Sequence, residues 1–253
     1  MLALALRALL PALVLTSGAA LGYVQWPGLL LGSLFAIWII LGADRMPRWL
    51  WWRAGLVASI ALAAHLLPGF APTPLWPARP LSADAPPYAL RLSWDKLLLG
   101  MTLLAWWLAQ PSRPARQLRL AWLAALLTAI GVPSLALLLG VVAWQPKWPD
   151  GLWLWLAVNL GVTVLAEELL FRAWLQPVLS RRLGSAWGIG LTALLFGAAH
   201  LPFSASFALV ATLAGLGYGL VFHASGRLWP AVLLHAAVNL LHLLLLSYPL
   251  RMV

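Results

Sequence analysis

Long apolar runs separated by short polar connections dominate the pattern of this chain. The runs occupy residues 2–24, 26–43, 50–67, 97–109, 120–144, 152–176, 186–201, 203–223 and 229–246. Most of them approach the roughly 20 apolar residues that a helix needs to cross the hydrocarbon core of a bilayer. Strands of a membrane barrel would be shorter and would alternate apolar with polar residues. The pattern therefore predicts membrane helices.

Composition strengthens this interpretation. Of the 253 residues, 63% are hydrophobic and 9% are charged, whereas an ordinary soluble domain has roughly 25% charged residues. We predict an all-α fold, a polytopic transmembrane helical bundle with eight to nine membrane helices. The first run has features of a signal peptide, but we expect a retained helix. Cysteine is absent, which excludes a disulfide framework, a thiolate metal site and a cysteine nucleophile.

The connections suggest a division of the chain into three regions. Residues 68–91 are rich in proline and polar residues, and they form the one long predicted loop. The segment 92–96 that follows is interpreted as a plain helix start at the membrane interface. The first predicted region, 1–96, contains the N-terminal membrane helices and the proline-rich loop. The second, 97–150, contains the connecting membrane helices, and the third, 151–248, is a helical core.

The net charge of +10 comes from 16 Lys and Arg against 6 Asp and Glu. These basic residues lie at the ends of apolar runs, as the positive-inside rule predicts, so no nucleic-acid partner is expected. With a cytoplasmic N-terminus and nine crossings, the inner side would receive Arg7, Arg45, Arg48, Arg53, Arg113, Arg116, Arg119, Arg181, Arg182 and Arg227. The outer side would receive Arg79, Arg91, Lys96, Lys147 and Arg251. Glu167 and His235 would then fall in the inner half of the membrane.

Three charged side chains interrupt the sixth run: Glu167, Glu168 and Arg172. A charge at bilayer depth is costly and persists mainly where it has a partner and a function. On an α-helix, Glu168 and Arg172 share a face and can pair, whereas Glu167 points about 100° away. The spacing thus separates a neutralised carboxylate from one that is available for chemistry.

Two further pairs of residues repeat the spacing of four on later apolar runs. Phe196 and His200 lie on the seventh run, and His235 and Asn239 lie on the ninth. The second pair presents two hydrogen-bond donors to one face of its helix. Few other strongly polar side chains remain at depth, so these residues are candidates for a common site.

These three motifs together resemble the signature of a known family. They are Glu167-Glu168-x-x-x-Arg172, Phe196-x-x-x-His200 and His235-x-x-x-Asn239. The chain is similar over residues 151–246 to the CPBP family of intramembrane proteases, which contains type II CAAX prenyl endopeptidases and bacteriocin-processing or self-immunity proteins. The resemblance implies an intramembrane endopeptidase with its catalytic core at residues 151–248.

The resemblance also implies a role for each motif residue. Glu167 would be the general base that activates water, and His200 would position the water or shuttle its proton. His235 and Asn239 would hold the oxyanion. The supporting residues would be Glu168, Arg172 and Phe196. The first two would orient the base, and the third would pack beside the histidine.

Metal dependence stays open at this stage. Glu167, His200 and His235 would also suit a three-ligand zinc site with an open position for water, as in a metalloendopeptidase. However, the chain has no His-Glu-x-x-His pair, and Asn239 is a poor zinc ligand. We therefore prefer a glutamate mechanism without a cofactor and keep zinc as the alternative.

Two other classes of function remain. One is a membrane scaffold or immunity protein on the same fold, and the other is a proton-coupled transporter, against which the lack of an inverted repeat counts. The expected partners of a protease are the lipid bilayer and a membrane-embedded or lipid-anchored peptide or protein. The charge pattern and length favour an integral protein of a bacterial inner membrane.

Several positions receive purely structural interpretations. His65, His223 and His242 are expected to be hydrogen-bonded packing residues. Ala211, Gly215 and Gly219 recur every four residues on the eighth run, and this small-residue face predicts the close approach of another helix.

Overall fold

A computed structural model describes residues 4–111 and 117–252. The structure is about 70% helical, which confirms the all-α prediction. The described helices are α1 (Leu4–Ala20), α2 (Trp26–Leu41), α3 (Arg48–Ala63), α4 (Trp94–Trp107), α5 (Leu118–Leu138), α6 (Leu152–Leu183), α7 (Ser185–Ala198), α8 (Ala205–Ser225) and α9 (Leu228–Leu245). Two short strands, β1 (Thr73–Pro74) and β2 (Arg91–Leu92), pair in antiparallel fashion. Arg113 and Arg116, counted above for the orientation, lie outside the described residues.

Five of the described helices are long and apolar enough to cross a membrane. They are Trp26–Asp44, Leu118–Leu138, Leu152–Leu183, Ala205–Ser225 and Leu228–Leu245. The helices α1, α3, α4 and α7 have 17, 16, 14 and 14 residues, fewer than the roughly 20 of a full span. The fold is therefore that of an all-α membrane protein, while the number of eight to nine membrane helices stays a prediction.

The chain forms two compact units. The first comprises Met1–Leu75, Arg91–Pro111 and Gly161–Leu170, and the second comprises Trp76–Leu90, Ser112–Leu160 and Phe171–Val253. Helix α6 contributes its middle part to the first unit and its two ends to the second. The division into 1–96, 97–150 and 151–248 made from the sequence remains a prediction.

In the first unit, tight contacts join α2 to its neighbours. Trp38 and Trp51 each donate an indole N–H to the backbone carbonyl of the other at 3.0 Å, which ties α2 to α3. Gly69 has a φ of +87°, and the backbone approaches Gly28 so closely that a Cβ on either residue would overlap the other. Glycine is required there because no side chain fits between the two backbones.

The first unit also holds the start of α4 against α6. The Trp94 indole donates to the Thr73 hydroxyl at 2.9 Å, which links the first turn of α4 to β1. One turn further along, a Cβ on Gly100 would lie 3.5 Å from the Cα of Ala166, an ordinary van der Waals distance. Helix α4 therefore packs directly beside the part of α6 that carries the two glutamates.

In the second unit, small residues of α8 allow close packing on several sides. A Cβ on Gly215 would lie 3.2 Å from the Cβ of Phe196 on α7, and one on Gly219 would lie 3.0 Å from Oε1 of Gln176 on α6. A Cβ on Gly217 would overlap the hydroxyl of Thr128 on α5. These contacts confirm the close helix approach predicted from the small-residue face.

A C-terminal cap covers one end of the second unit. We use this name for Trp76–Leu90 together with residues 139–151 and 246–252. Asp84 accepts a hydrogen bond from the Ser247 hydroxyl at 2.7 Å and pairs with Nε of Arg251 at 3.2 Å. Burial lowers the pKa of Lys147, and the charge of Asp84 partly offsets this shift. The ion pair and the hydrogen bond fasten the C-terminal residues to the loop that carries Asp84.

An aromatic cluster lies within the same cap. The rings of Tyr88 and Tyr248 meet edge to face with centroids 4.9 Å apart, and the Trp155 indole donates to the Tyr248 hydroxyl at 3.1 Å. Burial raises the pKa of both tyrosines. Edge-to-face pairs of this kind stabilise a fold beyond the apolar area that they bury.

Candidate functional site

The two glutamates lie where α6 departs from regular α-helical geometry. Residues Asn159–Val164 and Leu169–Leu175 are π-helical, and the glutamates belong to the short α-helical turn Leu165–Glu168 between them. Short π-helical insertions are rare and occur frequently at functional sites. Each insertion changes the direction in which the following side chains point, so the periodicity of a regular α-helix does not describe this region.

Glu167 and Glu168 differ in their surroundings. Glu168 is completely buried, whereas the side chain of Glu167 is 16% exposed. In the first unit, Oε1 of Glu167 lies 3.5 Å from Nζ of Lys96 on α4. Glu167 is therefore the more accessible of the two carboxylates, and it has a lysine beside it that the sequence analysis did not assign to the site.

This contact revises the topology derived from charge counting. Charge counting places Lys96 on the outer side of the membrane and Glu167 in the inner half, but these side chains are in contact. Both placements cannot hold, because the positive-inside rule assigns connections to a side and does not fix the depth at which a helix begins. The first turn of α4 lies at the level of Glu167.

In the second unit, Arg172 is fully buried among aromatic rings. Its guanidinium carbon lies 4.8 Å from the ring centroid of Phe196 and 5.3 Å from that of Tyr218, and its Nη2 donates to the carbonyl oxygen of Gly215 at 3.1 Å. A desolvated cation over an aromatic face is held electrostatically. The proposed pairing of Glu168 with Arg172 remains a prediction.

Phe196 packs between the two motif histidines. Its ring centroid lies 4.8 Å from that of His200 and 5.7 Å from that of His235. Nδ1 of His200 donates to the carbonyl oxygen of Phe196 at 2.8 Å. In a neutral ring this leaves Nε2 of His200 as the acceptor nitrogen, the form that can take a proton from water.

Tyr218 is a site residue that the sequence analysis missed. Its ring stacks on His235 with centroids 4.5 Å apart and an interplanar angle of 18°, and it is 1% exposed. The stack fixes the plane of the His235 imidazole. The sequence offered a weak signal, because Tyr218 follows Gly217 and precedes Gly219 on the small-residue helix.

Asn159 is the second missed residue in this unit. Nδ2 of Asn239 donates to Oδ1 of Asn159 at 3.3 Å, so the two amides orient each other across α6 and α9. Asn159 is also the first residue of a π-helical segment. A polar residue within the apolar run 152–176 was the available signal.

One pocket in the second unit gathers four of the seven motif residues. Phe196, His200, His235 and Asn239 line it together, and its empty volume, including the part open to the outside, is about 550 Å³. The remaining wall is mostly apolar and comes from α5, α8 and α9. Small-molecule and substrate sites typically have this character, with an apolar lining and a few convergent polar groups.

The C-terminal cap forms part of the wall of this pocket. Val142 and Leu246 of the cap line it. His242 of α9 also lines it and donates from Nε2 to the carbonyl oxygen of Ser247 in the cap at 2.9 Å. The expectation of a hydrogen-bonded packing role is therefore confirmed for His242. His65 is likewise hydrogen-bonded, to Asp95 of the first unit, but its side chain is 53% exposed, so the packing part of the expectation is wrong for it. His223 is also exposed, and the packing expectation for it is wrong.

The zinc alternative requires a particular arrangement of side chains. Protein-bound zinc requires three or four ligating side chains around one point. Within residues 4–111 and 117–252, no group of three or more histidine, aspartate and glutamate side chains is arranged in this way. The residues present do not fit a resident zinc ion, so we derive no step through one, and metal independence stays a prediction.

The fold and the pocket define an all-α membrane protein with a polar site lined by helices. Residues 149–241 match the family model described as Rce1-like, type II CAAX prenyl endopeptidase. This match confirms the family recognised from the three motifs and indicates a protease of the CAAX intramembrane type. All seven motif residues lie within the matched segment. Searches of curated proteins and of solved structures found no match.

Proposed function

We propose that this protein is an intramembrane endopeptidase that hydrolyses a peptide bond in a membrane-embedded or lipid-anchored peptide or protein. The observation that carries the proposal is the match of residues 149–241 to the CAAX endopeptidase family, which includes every motif residue. The pocket that unites two histidines and an asparagine supports it. The host membrane would be a bacterial inner membrane.

In the proposed reaction, Glu167 takes a proton from water while the water oxygen bonds to the carbonyl carbon of the scissile peptide. His235 and Asn239 donate hydrogen bonds to the oxyanion that forms. The proton then passes to the leaving nitrogen, the carbon–nitrogen bond breaks, and a carboxylate and an amine result. His200 assists the proton transfer through its acceptor nitrogen Nε2. Glu168 and Arg172 orient the base, and neither a metal nor an organic cofactor takes part.

The apolar wall of the pocket supports a membrane-borne substrate. A hydrolytic site with such a lining excludes bulk water, which strengthens hydrogen bonds to a developing charge. A substrate that enters from the bilayer brings its own apolar surface against this wall. Nucleic acid is not an expected partner.

The test compares membrane peptides from four strains: a knockout, and knockouts complemented with wild type, Glu167→Ala or His235→Ala. A protease predicts that peptides cleaved in the wild type accumulate uncleaved in the knockout and in both variants. His223→Ala is a matched control, because this histidine is exposed and lies outside the pocket lining. Folding of every variant is checked by thermal unfolding in detergent.

A scaffold or immunity protein on the same fold makes the opposite prediction. Its phenotype depends on the folded helices and not on ionisable groups in the pocket, so Glu167→Ala and His235→Ala would behave like the wild type. Folded variants that retain full function would therefore reject the protease proposal.

A further inference from the structure

Lys96 comes from a part of the chain that lies outside the matched family segment, residues 149–241. It belongs to the first turn of α4, which begins at Trp94. Its Nζ is 3.5 Å from Oε1 of Glu167, and the two side chains are only 21% and 16% exposed. A charged residue from the first half of the chain thus reaches the carboxylate that we propose as the general base.

The backbone around Lys96 is fixed by its neighbours. Asp95 is 4% exposed; its Oδ1 accepts the backbone N–H of Lys96 at 2.8 Å, and its Oδ2 accepts a hydrogen bond from Nδ1 of His65 at 2.7 Å. His65 has a φ of 59°, a conformation that a non-glycine residue keeps only when its surroundings hold it. The Trp94 indole is bonded to Thr73. The two residues that precede Lys96 in the first turn of α4 are therefore both anchored by side-chain hydrogen bonds.

A plain surface ion pair does not account for this arrangement. Exposed lysine–carboxylate pairs contribute little, because water screens the charges and long side chains lose freedom. Here both side chains are largely removed from water, where the attraction between opposite charges is screened less than at a surface. Lysine also provides a compact charge with rotatable donors, which can follow a carboxylate that changes its hydrogen bonds during a reaction.

We propose that Lys96 is a positioning residue for Glu167: it holds the carboxylate in place and stabilises its ionised form, so that Glu167 is ready to accept a proton from water. This inference rests on the proposed function. It assigns to α4 a direct part in preparing the base, and it makes Asp95 and His65 the supports of the lysine.

The test uses two substitutions and a matched control. Lys96→Met removes the charge and keeps the length of the side chain, and Lys96→Arg keeps the charge. Arg91→Met removes one positive charge from the same connection at an exposed residue. With a substrate found in the peptide comparison, we expect Lys96→Met to lower kcat at least about tenfold with little change in KM, because a misplaced base slows chemistry more than binding. Lys96→Arg should restore most of kcat, and Arg91→Met should equal the wild type.

A second measurement needs no substrate. A hydrophobic carbodiimide reacts with protonated carboxyl groups, and mass spectrometry of the intact membrane protein locates the adduct. Glu167 should be labelled several-fold faster in Lys96→Met than in the wild type or in Lys96→Arg. Unchanged labelling, or unchanged kcat in folded Lys96→Met, would overturn the inference. A wild-type protein that cleaves nothing would instead overturn the proposed function, and the labelling would still decide whether Lys96 controls Glu167.

Discussion

Replacing Tyr218 by leucine removes the ring that stacks on His235, and this change tests how the ring supports the polar residues of the pocket. The ring touches His235 on one side, with centroids 4.5 Å apart, and lies 5.3 Å from the guanidinium carbon of Arg172 on another. Tyr218→Phe is the matched control, because it keeps the ring and both of these contacts.

The magnitude follows from the contacts that are lost. An aromatic pair contributes about 0.5–1.5 kcal/mol beyond its buried area, and a desolvated cation–π contact contributes about 2 kcal/mol. Tyr218→Leu should therefore lower the free energy of unfolding by about 3 kcal/mol. Tyr218→Phe loses only the hydroxyl, and a hydrogen bond is worth about 1 kcal/mol. Because the plane of His235 is no longer fixed in the leucine variant, kcat should also fall about tenfold.

Thermal and denaturant unfolding in detergent give the stabilities, and cleavage of a membrane-peptide substrate gives kcat. The phenylalanine variant should stay close to the wild type in kcat while the leucine variant does not. If both variants lose kcat equally, the hydroxyl and not the stacked ring is what matters, and the reasoning from the stack is refuted.

Three further predictions concern other contacts. Asn159→Ala should lower kcat about tenfold by releasing the amide of Asn239, whereas Asn239→Ala should cost about a hundredfold because it removes an oxyanion donor; equal rates for the two variants would contradict this. Gly217→Ala should destabilise the protein by about 1–3 kcal/mol, because the added Cβ would overlap Thr128 of α5. Gly131→Ala should not destabilise it, because the atom nearest to its added Cβ, on Leu213, is 3.9 Å away. Thermal unfolding compares the two variants. Burial raises the pKa of Tyr248 above 10.0. The free energy of unfolding should therefore decrease as the pH rises above 10.0, because the tyrosine ionises there only in the unfolded state. If a Tyr248→Phe variant loses as much stability at high pH as the wild type does, Tyr248 is not responsible for the decrease.

The helical framework follows directly from the apolar pattern. Each predicted apolar run contains a helix in the described part of the chain, because a backbone in hydrocarbon must satisfy its hydrogen bonds internally. Pairs spaced by four residues on α7 and α9 were correctly assigned to one pocket, since such pairs share a helix face. Phe196 and His200 show this clearly, as the histidine bonds to the phenylalanine carbonyl one turn earlier.

Three site residues were not predicted, because their positions depend on structural features that the apolar pattern of the sequence does not show. Asn159 opens a π-helical segment, and a rule based on regular α-helical periodicity cannot foresee an insertion in the helix. The contact of Lys96 with Glu167 depends on the depth at which α4 begins, and charge counting gives the side of a connection and not its depth. Tyr218 lies between Gly217 and Gly219, and these small residues indicate helix packing more strongly than they indicate a site. These positions are set by tertiary contacts between segments far apart in the sequence.

One measurement tests both the independence from metal and the identity of the general base. Purified wild type and Glu167→Gln, reconstituted in liposomes, are given a substrate from the peptide comparison while bound zinc is counted per chain. The account predicts that the wild type cleaves with far less than one zinc per chain, and that the folded Glu167→Gln protein does not cleave. Cleavage by Glu167→Gln at the wild-type rate, or activity that rises in proportion to bound zinc, would contradict it.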